Sequence, residues 1–270
     1  MKKSLLLLIF ACFGLFAQAA HIDTVAVHSA CMQRDIPALV VVPDAAAGSR
    51  LPVLYLLHGH GGTYTSWQEI TDLRPLAERY AMIIVCPNGE NSWYWDSPVN
   101  PAMRFETFVA EELPAWVDAR YPTLADRNAR AVAGLSMGGH GALWLAIRHR
   151  GMFGAAGSMS GGVDIRPFPD SWNMKMWLGE RDAHPEVWDA HTVINQVDSL
   201  HDGDLALIFD CGYDDFFFEV NTALHEKLRT LGIGHDFTVR PGAHNAAYWS
   251  NSLPYQMLFF ERFFQRHGAK

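Results

Sequence analysis

Cysteine is scarce in this chain, at 4 in 270 residues. Cys12 falls in an N-terminal apolar run, and Cys31, Cys86 and Cys211 are widely separated. This is no disulfide framework, and the spacing matches no zinc ligand set. One bridge among the last three stays open, with no pair favoured. Cys86 ends an apolar run and reads as a buried thiol. Runs of basic residues are also missing, and the formal net charge is −8. Nucleic acid and an anionic membrane are therefore poor partners. Charged residues make up 19% and hydrophobic ones 49%, which excludes a disordered or fibrous chain and leaves room for a sizeable core. No linker, repeat or low-complexity stretch divides the sequence, so one domain is expected over residues 20–270.

One apolar run stands out at the start. Lys2-Lys3, then Leu5 to Phe16, then Ala17-Gln18-Ala19 have the basic, apolar and small-residue parts of a secretory signal peptide. Residues 1–19 are read as that signal, with cleavage after Ala19 and an exported protein, periplasmic or extracellular. The run is short for a membrane span. Phe10 is too bulky for the lipoprotein box that Cys12 would otherwise suggest. No stable membrane partner is expected.

Further on, short apolar runs alternate with helically spaced ones. Strands are predicted over 22–29, 38–42, 52–57, 82–86, 130–133, 155–159, 205–209 and 236–239. Helices are predicted over 71–81, 105–121, 139–147, 187–200, 217–231 and 248–267. Residues 161–185, rich in Pro, Trp and Met, read as an inserted loop or partial lid. The alternation implies an α/β fold with a doubly wound, mostly parallel sheet and helices on both faces. Ligand sites in such sheets lie at the C-terminal strand ends. His58-Gly59-His60, Ser136, Gly212 to Asp215 and His244 all fall there.

Gly134-Leu135-Ser136-Met137-Gly138 reads Gly-x-Ser-x-Gly between a strand and a helix, the setting of a nucleophile elbow. The five-residue pattern alone arises by chance in about one chain in ten of this length, so its surroundings must decide. Serine needs a base and an oriented acid. His244, in the loop after the last strand, is the candidate base; His225 and His235 read as solvated surface residues. The acid is Asp214 or Asp215, which spacing alone does not separate. The amides of Met137 and His60 are the candidate oxyanion donors. His58-x-His60 lacks a third ligand, so no metal is expected, and the chemistry calls for no cofactor.

With these segments placed, the chain resembles the esterase D-like family of α/β-hydrolases. That group includes S-formylglutathione hydrolases, tributyrin esterases, feruloyl and acetylxylan esterases, and mycolyltransferases. The resemblance rests on Tyr55-Leu56-Leu57-His58-Gly59, Pro87-Asn88-Gly89 with Ser92-Trp93-Tyr94, Ala133 to Gly139, Phe153 to Gly161, Asp210 to Phe216, and Pro241 to His244. It implies an α/β-hydrolase fold, a Ser136–His244–Asp215 triad with Asp215 rather than Asp214 as the acid, and His60 in the oxyanion hole. An exported serine carboxylesterase follows, acting on short-chain acyl or phenolic esters, including acetyl or feruloyl esters of carbohydrates. The family also holds acyltransferases of the mycolyltransferase type and S-formylglutathione thioesterases. The partner is then a small-molecule or carbohydrate ester. Trp93, Tyr94 and Trp172, in the two loops nearest the strand ends, are the expected substrate-binding rim.

Overall fold

The strands run His21–Ser29 (β1), Arg34–Val42 (β2), Val53–Leu57 (β3), Ile83–Pro87 (β4), Arg130–Leu135 (β5), Ala155–Met159 (β6), Ala206–Gly212 (β7) and Asp236–Arg240 (β8). In the computed structural model, which describes residues 20–46 and 48–269, they form one sheet in the order β1-β2-β4-β3-β5-β6-β7-β8. The expected signal peptide and Cys12 lie outside the described residues. β1 and β2 are antiparallel to their neighbours, and the remaining pairs are parallel. This mostly parallel sheet with helices on both faces is the expected α/β-hydrolase arrangement.

Strands β3, β4, β5 and β6 are buried along their whole length, as near-continuous apolar runs should be when helices cover both faces. Successive side chains of β3 go to opposite sides of the sheet. Val53, Tyr55 and Leu57 join the core that contains Leu143 and Trp144 of the helix Met137–Arg148. Leu54 and Leu56 join the one that contains Met257 and Phe260 of the last helix, Ala246–Arg266. The sheet is thus clamped between the helix that follows Ser136 and the helix that follows His244.

Three segments differ from expectation for local reasons. The predicted helix 105–121 is interrupted by a π turn at Phe108–Glu112, and the α-helix resumes only over Leu113–Asp118. Pro114 has no N–H to offer Ala110, and the Leu113 amide donates to Phe108 instead. The predicted helix 187–200 breaks at Thr192, whose backbone is extended, leaving Pro185–Ala190 and Val193–Gln196. Residues 161–185, read as an irregular inserted loop or partial lid, contain a short helix, Met174–Leu178, and are tethered to the body of the fold. The Trp177 carbonyl accepts from Ser97 Oγ at 2.7 Å, and the Gly179 carbonyl accepts from the Trp188 indole N–H at 3.0 Å.

Among the described residues Cys31, Cys86 and Cys211 are all free thiols. Cys86 and Cys211 are buried, and loss of solvation pushes both thiol pKa values up. No helix among the described residues is long and apolar enough to cross a membrane.

Candidate active site

Ser136 sits between the end of β5 and the helix Met137–Arg148 with φ 55° and ψ −118°. A non-glycine residue held there is strained. The flanking glycines make the turn possible. A Cβ on Gly134 would lie 2.4 Å from the Gly138 carbonyl carbon, and one on Gly138 would lie 2.4 Å from the Leu57 oxygen of β3. Both distances are shorter than any tolerable contact, so the turn can be this tight only with glycine at each position.

The loop after β8 brings His244 to this serine. His244 Nε2 lies 2.8 Å from Ser136 Oγ. On its other edge, Nδ1 lies 2.9 Å from Oδ2 and 3.1 Å from Oδ1 of Asp215. Asp215 is buried, and its Oδ1 also accepts the Phe217 amide at 2.9 Å. Asp214, one residue earlier, is exposed and its side chain makes no hydrogen bond to His244. The two acids that spacing left equivalent are therefore separated by a single step of the chain. Rings pack round the imidazole: Phe216 at 4.2 Å, Trp249 at 5.0 Å and Phe217 at 5.5 Å between centroids.

Met137 is the first residue of its helix, so its N–H has no acceptor within the helix and is available at the serine. His60 lies opposite, in the turn that the Gly62 amide closes on the Gly59 carbonyl at 3.0 Å. That turn is held from behind by His58. Its Nδ1 donates to the Gly59 carbonyl at 2.8 Å, and its Nε2 accepts the Gly89 amide at 2.8 Å, which tethers the β3 loop to the β4 loop. His58 is thus a cross-brace with both nitrogens occupied. No group of three or more potential metal ligands occurs among the described residues.

Around Ser136 and His244 opens a cleft of about 700 Å³, within the range of small-molecule sites. Its walls include His60, Glu69, Trp172, Phe216 and Trp249. Of the expected rim residues, Trp172 lines the cleft, stacked on Phe216 at 5.6 Å. Trp93 and Tyr94 do not, and that expectation is corrected. Both have left-handed backbones that turn their rings inward, and both are buried. Trp93 stacks on Trp95 at 5.6 Å, and Tyr94 donates its hydroxyl to the His58 carbonyl at 3.0 Å. Phe216 and Trp249 were not expected at the site. The one signal for them is position, next to Asp215 and at the start of the helix that follows His244. His225 and His235 also differ from expectation. They are partly buried and bonded to each other at 2.8 Å, with His235 stacked on Phe209.

Two buried histidines set an acid limit on stability. Desolvation lowers the pKa of His58 to about 4 and that of His140 to about 3. His140 donates Nδ1–H to the Gly162 carbonyl at 3.0 Å and lies edge-on to Trp93 and Trp95 at 5.2 Å each. Both folded values lie below that of an unfolded histidine, about 6.5. The unfolded chain therefore takes up protons first, and stability falls as pH drops from about 6.5 towards 4. At pH 4.5 each residue is expected to remove up to about 2–3 kcal/mol relative to pH 7. Equilibrium urea unfolding at the two pH values measures this, and an unchanged midpoint would contradict it. His140→Gln should flatten the dependence by its own share.

With this geometry in view, comparison with known proteins is informative. Residues 29–260 match the Esterase family model, described as "Putative esterase". An esterase of Mycobacterium tuberculosis is 30% identical over 237 residues, covering 76% of this chain and 51% of its own length. The chain thus spans about half the length of that curated relative. An acetyl esterase of Caldicellulosiruptor saccharolyticus is 26% identical over 215 residues, covering 75% of this chain and 80% of its own. A solved ferulic acid esterase superposes with a TM-score of 0.79 at 29% identity, covering 91% of this chain and 98% of its own. The strained serine between two obligatory glycines, the chain order of its partners and the extent of the match together establish that the chain belongs to the Esterase family of α/β-hydrolases.

Proposed function

We propose that the protein is an exported serine carboxylesterase that hydrolyses short-chain acyl or phenolic esters. The observation that carries this reading is the unbroken relay from Asp215 through His244 to Ser136 at the floor of an open cleft. Ser136 Oγ attacks the ester carbonyl while His244 Nε2 takes its proton. Asp215 keeps the second proton of the imidazole on Nδ1 and supports the imidazolium that forms. The amides of His60 and Met137 receive the developing oxyanion. One such donor is worth roughly 3–4 kcal/mol in serine hydrolases generally. His244 then returns the proton to the leaving alcohol, and water releases the acid by the same steps in reverse order.

The acyl group is read from the walls. Trp172, Phe216 and Trp249 offer aromatic surface in the same cleft as Ser136 and His244, which suits a phenolic acyl group or the apolar face of a sugar. Relatives named as acetyl esterase and ferulic acid esterase support acetyl or feruloyl esters of carbohydrates. Export is supported by the basic, apolar and small-residue pattern of residues 2–19. A series of 4-nitrophenyl acetate, butyrate and longer esters with methyl ferulate tests the reading. The acetyl, butyryl or feruloyl ester is expected to show the highest kcat/KM. A maximum beyond about eight acyl carbons would overturn the short-chain assignment.

A further inference from the structure

We infer that Glu69 makes this cleft selective by charge, accepting neutral and cationic esters and rejecting esters that carry a carboxylate near the scissile bond. The inference rests on the esterase reading and specifies its substrate class.

Among the described residues, Glu69 is the one lining residue with a full charge, and no Lys or Arg lines the cleft. It is exposed to solvent at the cleft wall, with one carboxylate oxygen engaged. It lies in the short helix Ser66–Ile70 and accepts the Thr65 hydroxyl on Oε1 at 2.6 Å, and that hydroxyl lies 2.9 Å from the hydroxyl of Thr63. The basic side chains of the cleft do not offset it. Partial burial lowers the pKa of His60, which keeps the ring neutral, and His244 is committed to Asp215. On the adjoining loop Asn91 holds the Gly61 amide at 2.7 Å. The neighbouring Glu90 is paired with Arg34 at 2.7 Å. The protein as a whole is negative, so the far field has the same sign as Glu69.

A leaving group or acyl chain bearing a carboxylate thus meets repulsion with no cation to receive it. Between the dielectric limits of water and protein surface, a single like charge within several ångströms of a substrate carboxylate changes relative affinity by roughly fivefold. Uronic-acid esters and anionic thioesters fall in the rejected class. Esters on neutral sugars fall in the accepted one.

Two matched pairs test this. Acetylcholine against 3,3-dimethylbutyl acetate compares a cation with its neutral isostere. Mono-4-nitrophenyl glutarate against 4-nitrophenyl pentanoate compares an anion with a neutral chain of similar length. The wild type is expected to favour the neutral ester over the anionic one by about fivefold or more, and not to disfavour the cationic one. Raising NaCl from low to high concentration should compress the ratio. Glu69→Gln should bring the anionic ratio close to one, and Glu69→Lys should invert it. A ratio unchanged in Glu69→Gln, or no discrimination by the wild type, would overturn the inference while leaving the esterase reading intact. Failure of the wild type to hydrolyse even the neutral esters would overturn that reading itself.

Discussion

Ser136→Ala is expected to lower kcat/KM for 4-nitrophenyl acetate by about 10⁴-fold or more, with little change in melting temperature. The substitution removes one oxygen, the one that forms the acyl-enzyme bond in the proposed mechanism. Without it, His244 still lines the cleft, and the proposed oxyanion donors, the amides of His60 and Met137, are unchanged. A residual rate above that of water alone should therefore survive, as when one member of such a relay is lost elsewhere. The fold is spared because Ala keeps the Cβ and the backbone of Ser136, and the Oγ contributes one hydrogen bond, to a partly exposed His244. Covalent labelling by a fluorophosphonate gives a second readout, present in the wild type and absent in the variant. Retention of the wild-type rate by Ser136→Ala would place the chemistry elsewhere.

Asp215→Asn should also cost about 10⁴-fold in kcat, whereas Asp214→Asn should stay within about twofold of the wild type. The contrast is sharp because the two residues are adjacent and chemically identical. Asn at 215 can still accept from the Phe217 amide, so the local turn survives. Its NH₂ group cannot accept the His244 Nδ1 proton, however, and it favours the tautomer that leaves Nε2 protonated. An imidazole in that state cannot take the serine proton. Asp214 is exposed and lies outside the relay, so its loss changes only surface charge. Equal effects of the two substitutions, measured on folded protein of matched melting temperature, would remove Asp215 from the acid's role.

How much of this was legible in the sequence depends on whether the deciding contact is local. The central strands read clearly because β3 to β6 are buried on both faces and so are apolar without interruption. Ser136 and His244 read clearly because each is marked by neighbours whose spacing has a steric or positional reason. The choice between Asp214 and Asp215 does not read from spacing. It depends on which carboxylate faces a ring 29 positions away. The resemblance to known esterases implies Asp215, and Asp215 is the carboxylate bonded to His244 Nδ1. The aromatic residues divide in the same way. A tryptophan in a loop after a strand can face solvent or core, and composition does not tell which. At Trp93 and Tyr94 a left-handed turn sends the rings inward, Trp93 against Trp95 and His140 and Tyr94 against His58. Nothing in the residue types announces that turn. Phe216 and Trp249 were missed for the converse reason, since their importance comes only from where the loops carry them.

The three free thiols have a consequence for what holds the protein together. Residues 20–46 and 48–269 form their sheet, their two cores and the serine–histidine–aspartate relay with no covalent cross-link. Cys86 and Cys211 are packed away with their thiols kept protonated, so neither competes to form a wrong pair once the chain has folded. The folded arrangement of these residues therefore rests on noncovalent contacts alone, with only Cys31 of the three thiols partly open to solvent.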